Sequence, residues 1–74
     1  MKKAIVLGGG GFIGGHLAKR LLEDGYYVRI ADIKNHEFWN HAEICNEFIK
    51  CDLTDPKSVE LVIYENADLV FQLA

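Results

Sequence analysis

The chain has 74 residues, half of them hydrophobic, and a formal net charge of −3 at pH 7, which allows one domain at most and excludes a disordered tail. This acidic balance offers no basic face for nucleic acid, and no apolar run approaches the roughly 18–20 residues that cross a bilayer. The two cysteines, Cys45 and Cys51, are expected to be reduced thiols of a cytoplasmic protein.

The first half of the chain predicts a strand, a helix and a second strand. KAIVL at Lys3–Leu7 is a short apolar run that a glycine ends, which predicts a buried strand. Apolar residues four apart predict a helix from Phe12 to Asp24, with Gly25 as its C-cap. YVRIAD at residues 27–32 predicts the second strand.

The second half predicts a third strand and a second helix. Residues 33–46 are polar and are expected to form either a loop or a short irregular helix. EFIKC at residues 47–51 predicts the third strand. Asp55 suits the N-cap and Pro56 the first position of a helix that ends at Asn66.

The last segment, LVFQLA at residues 69–74, is almost entirely apolar, as expected for a strand covered on both faces. Strands therefore alternate with helical segments along the chain. Such alternation predicts an α/β fold: half of a doubly wound Rossmann fold, with a parallel sheet of about four strands and flanking helices.

The stretch LGGGGFIGGHL joins the first strand to the first helix. Backbone without Cβ atoms can approach a pyrophosphate closely, and a helix N-terminus offers N–H groups to it. A GxxGxxG motif starts at Gly8 and a GxGxxG motif starts at Gly9; the strand end at Leu7 favours the first. Both share Gly11, which would admit the phosphates, and Gly14, which would let the helix pack on the strand. A turn that serves packing alone is the plainer alternative.

A P-loop is the competing interpretation of the same glycines. It requires GxxxxGK[ST], with Lys for the terminal phosphates and Ser or Thr for magnesium. Gly9 and Gly14 have the spacing, but Gly15 and His16 follow them, which excludes a P-loop. Neither the cysteines nor the histidines have metal-ligand spacing, so no metal site is expected.

Asp32 ends the second strand, eighteen residues after Gly14. An acidic side chain at about this distance accepts hydrogen bonds from the adenosine ribose of a dinucleotide. Its charge also repels the 2′-phosphate of NADP, which favours NAD, although Lys34 could reach such a phosphate. A strand-end turn residue is the alternative interpretation of Asp32.

Four pieces of the chain carry a family resemblance: GGGGFIGGHLAKRLLEDGYYV, AD at residues 31–32, CDLTD at residues 51–55 and the final LVFQLA. They resemble the extended short-chain dehydrogenase/reductase family, in its NAD-dependent epimerase/dehydratase branch, which acts on sugar nucleotides. The resemblance spans essentially the whole chain. Two departures are Gly15, in place of a small hydroxyl residue, and Gln72, where the family's HLA motif has a histidine.

The resemblance implies NAD as the cofactor, with contacts at four places. The implied contacts are the pyrophosphate at Gly8, Gly11, Phe12, Ile13 and Gly14, the adenosine ribose at Asp32, the adenine at Asp52 and Leu53, and the route to the nicotinamide ribose at Leu73 and Ala74. From the residues alone, Asp52 could equally be a strand-end cap before the helix.

The family's catalytic pair is a tyrosine followed four residues later by a lysine. Ile30, Ala31 and Asp68 stand four residues after the three tyrosines, so this pair is missing. The resemblance therefore implies that residues 1–74 are an N-terminal NAD-binding fragment without catalytic and substrate parts, in which a sugar nucleotide binds only in a full-length parent. The alternatives are a free-standing, non-catalytic dinucleotide-binding or sensor module and a scaffold without ligand. The exposed last strand predicts a homo-oligomer.

Overall fold

The computed structural model describes residues 2–8, 10–33, 40–63 and 67–73. Within these ranges the elements are β1 (Lys3–Leu7), α1 (Phe12–Glu23), β2 (Tyr27–Asp32), α2 (His41–Ile44), β3 (Glu47–Lys50), α3 (Pro56–Ile63) and β4 (Leu69–Gln72). The predicted alternation is confirmed, and the segment expected to be a loop or a short helix contains α2. No helix in the described ranges combines the length and apolar character needed to cross a bilayer.

The four strands form one parallel sheet in the order β3-β2-β1-β4. At the carboxyl end of the sheet, Leu7 of β1 is level with Ala31 of β2 and with Gln72 of β4. The chain runs outward from β1 to β3 and then returns to the other side of β1. This reversal defines a doubly wound sheet, and it confirms the predicted half of a Rossmann fold.

The sheet has a hydrophobic core on both faces. The larger cluster lies against α1 and α2 and contains Ala4, Val6, Ala18, Leu21, Val28, Ile30, Ile44 and Cys45. The smaller cluster, on the opposite face, contains Ile5, Leu7 and Ala31. Because β1 is buried on both sides, its sequence is a continuous apolar run rather than an alternating one. Burial of a side chain such as Ile30 stabilises the fold by about 1.5–3 kcal/mol.

Helix α1 ends at a glycine-dependent turn, one residue earlier than predicted. Gly25 has φ +90°, a left-handed conformation that side chains with a Cβ disfavour. The Gly25 N–H donates to the Leu22 carbonyl at 3.1 Å, and the Tyr26 N–H donates to the Leu21 carbonyl at 3.0 Å. This pair of hydrogen bonds is the Schellman motif, with glycine at the position that follows the C-cap residue.

The start of α3 is as predicted, whereas the bounds around it differ slightly. Lys57 donates its N–H to Asp55 Oδ1 at 3.0 Å, and Pro56 is the first helical residue. Asp55 therefore caps the helix. β3 ends at Lys50, one residue before the predicted end, and the predicted helix end at Asn66 lies outside the described residues.

Strand β4 is shorter and less buried than expected. It covers Leu69–Gln72 rather than residues 69–74. Leu69 and Phe71 pack against the larger core cluster, whereas Val70 is 51% exposed. The expectation that both faces are covered is therefore wrong for the described chain. The face of β4 toward α1 is packed, whereas the opposite face, which carries Val70, is open.

A buried charge connects β2 with β3. The Arg29 side chain is only 8% exposed, and its Nη2 and Nε contact the Glu47 carboxylate at 3.1 and 3.3 Å. The Tyr27 hydroxyl donates to the same carboxylate at 2.7 Å. Loss of Glu47 would remove a charged partner of the buried Arg29 guanidinium, so this contact favours the pairing of β3 with β2.

Candidate functional site

Gly8 is the residue at which the chain turns out of β1. Its φ of +92° lies in the left-handed region, where glycine is favoured. Its N–H donates to the Ala31 carbonyl at 2.7 Å, so the pairing of β1 with β2 continues by one hydrogen bond beyond Leu7. The turn therefore begins at the glycine that the strand end at Leu7 indicates, while Gly9 lies outside the described residues.

Gly11 is the N-cap of α1, with φ −86° and ψ 174°. Gly15 donates its N–H to the Gly11 carbonyl at 2.9 Å and thereby closes the first turn of the helix. The N–H groups before Gly15 therefore have no acceptor within the helix. The N-cap supplies no side-chain hydrogen bond, and the first turn carries no acidic residue, so this end of the helix suits an anion.

A cleft of about 340 Å³ lies in front of this helix end. Its lining consists of Gly8, Gly11, Phe12, Ile13, Gly14 and Leu73. The Leu73 N–H donates to the Leu7 carbonyl at 2.8 Å, which places the end of β4 beside the glycine turn. The cleft therefore opens between β1 and β4, at the point where the sheet order reverses and where ligands bind in open α/β sheets.

A second cleft of about 190 Å³ lies at the ends of β2 and β3. Its lining consists of Asp32, Ile33, Asp52, Leu53 and Thr54. Cys51 donates its N–H to the Asp32 carbonyl at 2.9 Å, which joins the segment after β3 to the end of β2. The two clefts together contain nine of the ten residues that the sequence marks for NAD contacts, and the tenth, Ala74, lies outside the described residues.

The half-buried Asp32 carboxylate accepts main-chain hydrogen bonds on both oxygens. Gly10 donates its N–H to Oδ2 at 2.7 Å, and Ile33 donates its N–H to Oδ1 at 2.6 Å. Sequence reasoning singled out Asp32 but not Gly10, since neither glycine register uses that position. The contact spans 22 residues, so no local spacing could have revealed it.

Asp52 is exposed and belongs to a local turn. Thr54 donates both its N–H and its hydroxyl to Asp52 Oδ1, at 2.9 and 2.6 Å. These hydrogen bonds, the hydroxyl first, lower the pKa of Asp52 below its ordinary value. Since Asp55 caps α3, Asp52 is a strand-end turn residue, and it is one of the residues that line the second cleft.

Among the described residues, the remaining histidine and cysteine side chains do not form a site of their own. His16 is exposed, and its ring meets Phe12 edge-on at 4.5 Å between centroids. No disulfide joins the two described cysteines, and burial together with the nearby Glu47 charge raises the pKa of Cys45 to about 11. The described residues contain no cluster of His, Cys, Asp and Glu that could hold a metal. His36, Phe38, Trp39 and Tyr64 lie outside the described residues.

Comparison with known proteins gives consistent matches along the chain. The model of the NAD dependent epimerase/dehydratase family matches residues 4–74. GDP-mannose 3,5-epimerase of Arabidopsis thaliana is 39% identical over 72 residues, which are 97% of this chain and 19% of that protein. Probable UDP-arabinose 4-epimerase 1 of Oryza sativa subsp. japonica is 36% identical over 80 residues, with 95% of this chain and 19% of that protein covered.

A solved structure shows the same fold. The crystal structure of UDP-glucose 4-epimerase with UDP-glucose from the hyperthermophilic eubacterium Thermotoga maritima has a TM-score of 0.80 and 29% sequence identity. The match covers 97% of this chain and 24% of that chain. The chain thus spans about a fifth of the length of the curated relatives, which is 19% for both named above.

Proposed function

The chain belongs to the NAD-dependent epimerase/dehydratase family, and from this premise we propose that it is the NAD-binding portion of a sugar-nucleotide epimerase or dehydratase. The relatives are named as epimerases of GDP-mannose, UDP-arabinose and UDP-glucose. Because the chain spans about a fifth of the curated relatives, the sugar nucleotide is proposed to bind only in a longer parent. Its 74 residues lack the tyrosine–lysine spacing of the catalytic pair, so we propose that residues 1–74 are an NAD-binding domain fragment that is not catalytic alone.

The observation that carries the proposal is the open space at Gly11. Its φ of −86° suits any residue, and a Cβ built there would meet only the Gly8 carbonyl oxygen, at 4.0 Å. Neither the backbone conformation nor the described packing requires glycine at this position. A ligand that approaches the backbone closely, as a pyrophosphate does, supplies the missing reason.

The proposed arrangement follows the two clefts. The pyrophosphate would lie in the first cleft against the N-terminus of α1, and the nicotinamide half would extend toward Leu73 and Ala74. Asp32 would accept hydrogen bonds from the adenosine ribose, and its charge would favour NAD over NADP. When bound, NAD would accept a hydride from a sugar hydroxyl and later return it.

The second cleft suits the adenine ring. Leu53 offers an apolar surface, and the Asp52 carboxylate can accept a hydrogen bond from the adenine amino group. Both described donors to Asp52 use Oδ1, so Oδ2 is the proposed acceptor. The hydrogen bonds from Thr54, the hydroxyl first, lower the pKa of Asp52 and so favour its charged form, which is the form that accepts.

The experiment is a calorimetric titration of the 74-residue chain with NAD, ADP-ribose and NADP, repeated on Gly11→Ala. Wild type should bind NAD and ADP-ribose at millimolar concentrations and NADP more weakly. Gly11→Ala should bind NAD at least about tenfold more weakly, a loss of roughly 1.4 kcal/mol, because its methyl group occupies the space of the phosphates.

Stability separates a binding effect from a folding effect in this experiment. Gly11→Ala should unfold at about the same denaturant concentration as wild type, because alanine at a compatible φ stabilises by up to about 1 kcal/mol, whereas alanine is a poorer N-cap than glycine. Equal NAD affinity of the two chains, or no binding by wild type at millimolar NAD, would contradict the proposal for this chain.

We also propose that copies of the chain associate through β4, whose outer edge is unpaired among the described strands. Unpaired strand edges offer main-chain hydrogen bonds to a second strand. A cytoplasmic location is proposed as well, because reduced thiols persist there. Neither a nucleic acid nor a membrane is proposed as a partner.

A further inference from the structure

Asp32 holds the glycine turn in addition to facing the second cleft. The Gly10 N–H donates to Asp32 Oδ2 at 2.7 Å, and Gly10 itself is buried. The hydrogen bond from Ile33 to Oδ1 is local, whereas that from Gly10 joins two segments 22 residues apart. Because the Gly10 bond uses a side chain, it depends on the residue type at position 32.

The glycine turn is fixed at two successive points on the end of β2. Gly8 donates its N–H to the main-chain carbonyl of Ala31 at 2.7 Å, and Gly10 donates to the side chain of the next residue, Asp32. The first contact survives any substitution at residue 31. The second contact therefore makes the path of the turn in front of α1 sensitive to Asp32.

We propose that Asp32 is a positioning residue for pyrophosphate binding, so that one carboxylate couples the two clefts. The inference rests on the proposed function, because it assigns the first cleft to a pyrophosphate. Through Gly10, Asp32 keeps the turn in the conformation that presents the N–H groups of α1. This role is separate from the acceptance of hydrogen bonds from a ribose, since a ligand without any ribose should depend on it.

The direction of the change in pyrophosphate affinity when Asp32 is removed distinguishes a positioning residue from a nearby charge. A carboxylate within a Debye length of a bound pyrophosphate repels it. If Asp32 acted only as a nearby charge, its removal would strengthen pyrophosphate binding. If Asp32 positions the turn, Asp32→Ala weakens pyrophosphate binding despite the loss of repulsion.

The first measurement needs no ligand. Hydrogen exchange of the Gly10 amide, followed by NMR, should be slow in wild type and faster in Asp32→Ala, because the acceptor is lost. Asp32→Asn keeps one carbonyl oxygen as an acceptor and should retain part of the protection. Asp68→Asn is the matched control: Asp68 Oδ2 accepts the Lys3 N–H at 2.8 Å, beside the start of β1, so its replacement should leave Gly10 unchanged.

The second measurement is the affinity for inorganic pyrophosphate, which contains no ribose. Asp32→Ala should bind it about threefold to tenfold more weakly than wild type, the range that one hydrogen bond of ordinary net strength supplies. Asp32→Asn should bind more tightly than Asp32→Ala, and Asp68→Asn should match wild type. If Asp32→Ala fails to fold, the Gly10 amide exchange rate is compared between Asp32→Asn and wild type. Faster exchange in Asp32→Asn supports the hydrogen bond from Gly10 to Asp32, and equal exchange contradicts it.

The outcomes separate this inference from the proposed function. Equal or tighter pyrophosphate binding by a folded Asp32→Ala chain overturns the inference. So does a Gly10 amide exchange rate that is the same in wild type and in the variants at residue 32. In both cases NAD binding by wild type still supports the proposed function. Absence of both pyrophosphate and NAD binding by wild type overturns the proposed function and, with it, the assignment of the first cleft.

Discussion

Asp32 and Asp52 are held in different ways, although both follow the ends of neighbouring parallel strands. Asp32 accepts N–H groups from the next residue and from a segment 22 residues away. The two described hydrogen bonds to the Asp52 carboxylate both come from Thr54 and both end on Oδ1. Asp32 is therefore held by the tertiary fold, whereas Asp52 is held by a neighbouring threonine, whose hydrogen bonds lower the pKa of Asp52.

Thr54→Val should raise the pKa of Asp52 toward its ordinary value. The substitution removes the hydroxyl donor at 2.6 Å, the larger cause of the lowered pKa, and keeps the N–H donor. A carboxyl with a lowered folded pKa adds stability above its unfolded pKa and loses it as the pH falls through the folded value. Because Asp52 is exposed, the effect should appear in its own carboxyl ¹³C titration. An unchanged Asp52 titration would contradict the role of the hydroxyl.

Motif spacing identified most of the candidate site but not the contacts that shape it. Gly11 and Asp32 stand at recognisable distances from strand ends, so the sequence pattern marks them, whereas Asp52 is marked only by the family resemblance. The bond from Gly10 to Asp32 depends on the path of the turn in three dimensions. The roles of the marked residues toward NAD remain predictions, because they concern a ligand rather than the fold.

At the scale of elements, the end of α1 depends on the conformation of Gly25. A Cβ there would meet no heavy atom within 4 Å, but φ is +90°. Gly25→Ala should therefore destabilise the chain by about 1 kcal/mol through backbone strain alone. Gly11→Ala is the matched control, since its Cβ also has space while its φ of −86° is ordinary. Denaturant unfolding that shows the same stability for both variants would refute this explanation.

The accuracy of the predicted elements follows from how much each depends on tertiary contacts. β1 and β2 have the predicted bounds, because each is an apolar run that ends in glycine or a charged residue. α2 has only four residues, and the burial of Ile44 results from packing in the core cluster that α1 covers. Hydrophobic periodicity cannot identify so short a helix. The sequence likewise could not predict the open face of β4, because an apolar run predicts a buried strand whatever its position in the sheet.

At the scale of the whole molecule, the parallel strands bring the two clefts to the carboxyl end of the sheet. All four strands are parallel, so their carboxyl ends lie together. The first cleft lies between β1 and β4 and the second at the ends of β2 and β3, so the carboxyl end of β2, with Asp32, stands between them. An elongated dinucleotide matches this arrangement better than a compact ligand does.

The strand order places β4 at the edge of the sheet that the described strands form, and this strand edge should make the 74-residue chain associate. Sedimentation equilibrium at micromolar concentration should give a mass above that of one chain. Val70, 51% exposed on β4, is the position to test, because lysine on an edge strand opposes pairing with a second strand. Val70→Lys should therefore shift the chain toward monomer. Ile33→Lys adds the same charge at a residue that is 62% exposed beyond β2, and it should leave association unchanged.

A monomeric wild type would exclude pairing through β4. Equal effects of Val70→Lys and Ile33→Lys would assign the association to net charge instead of to the strand edge.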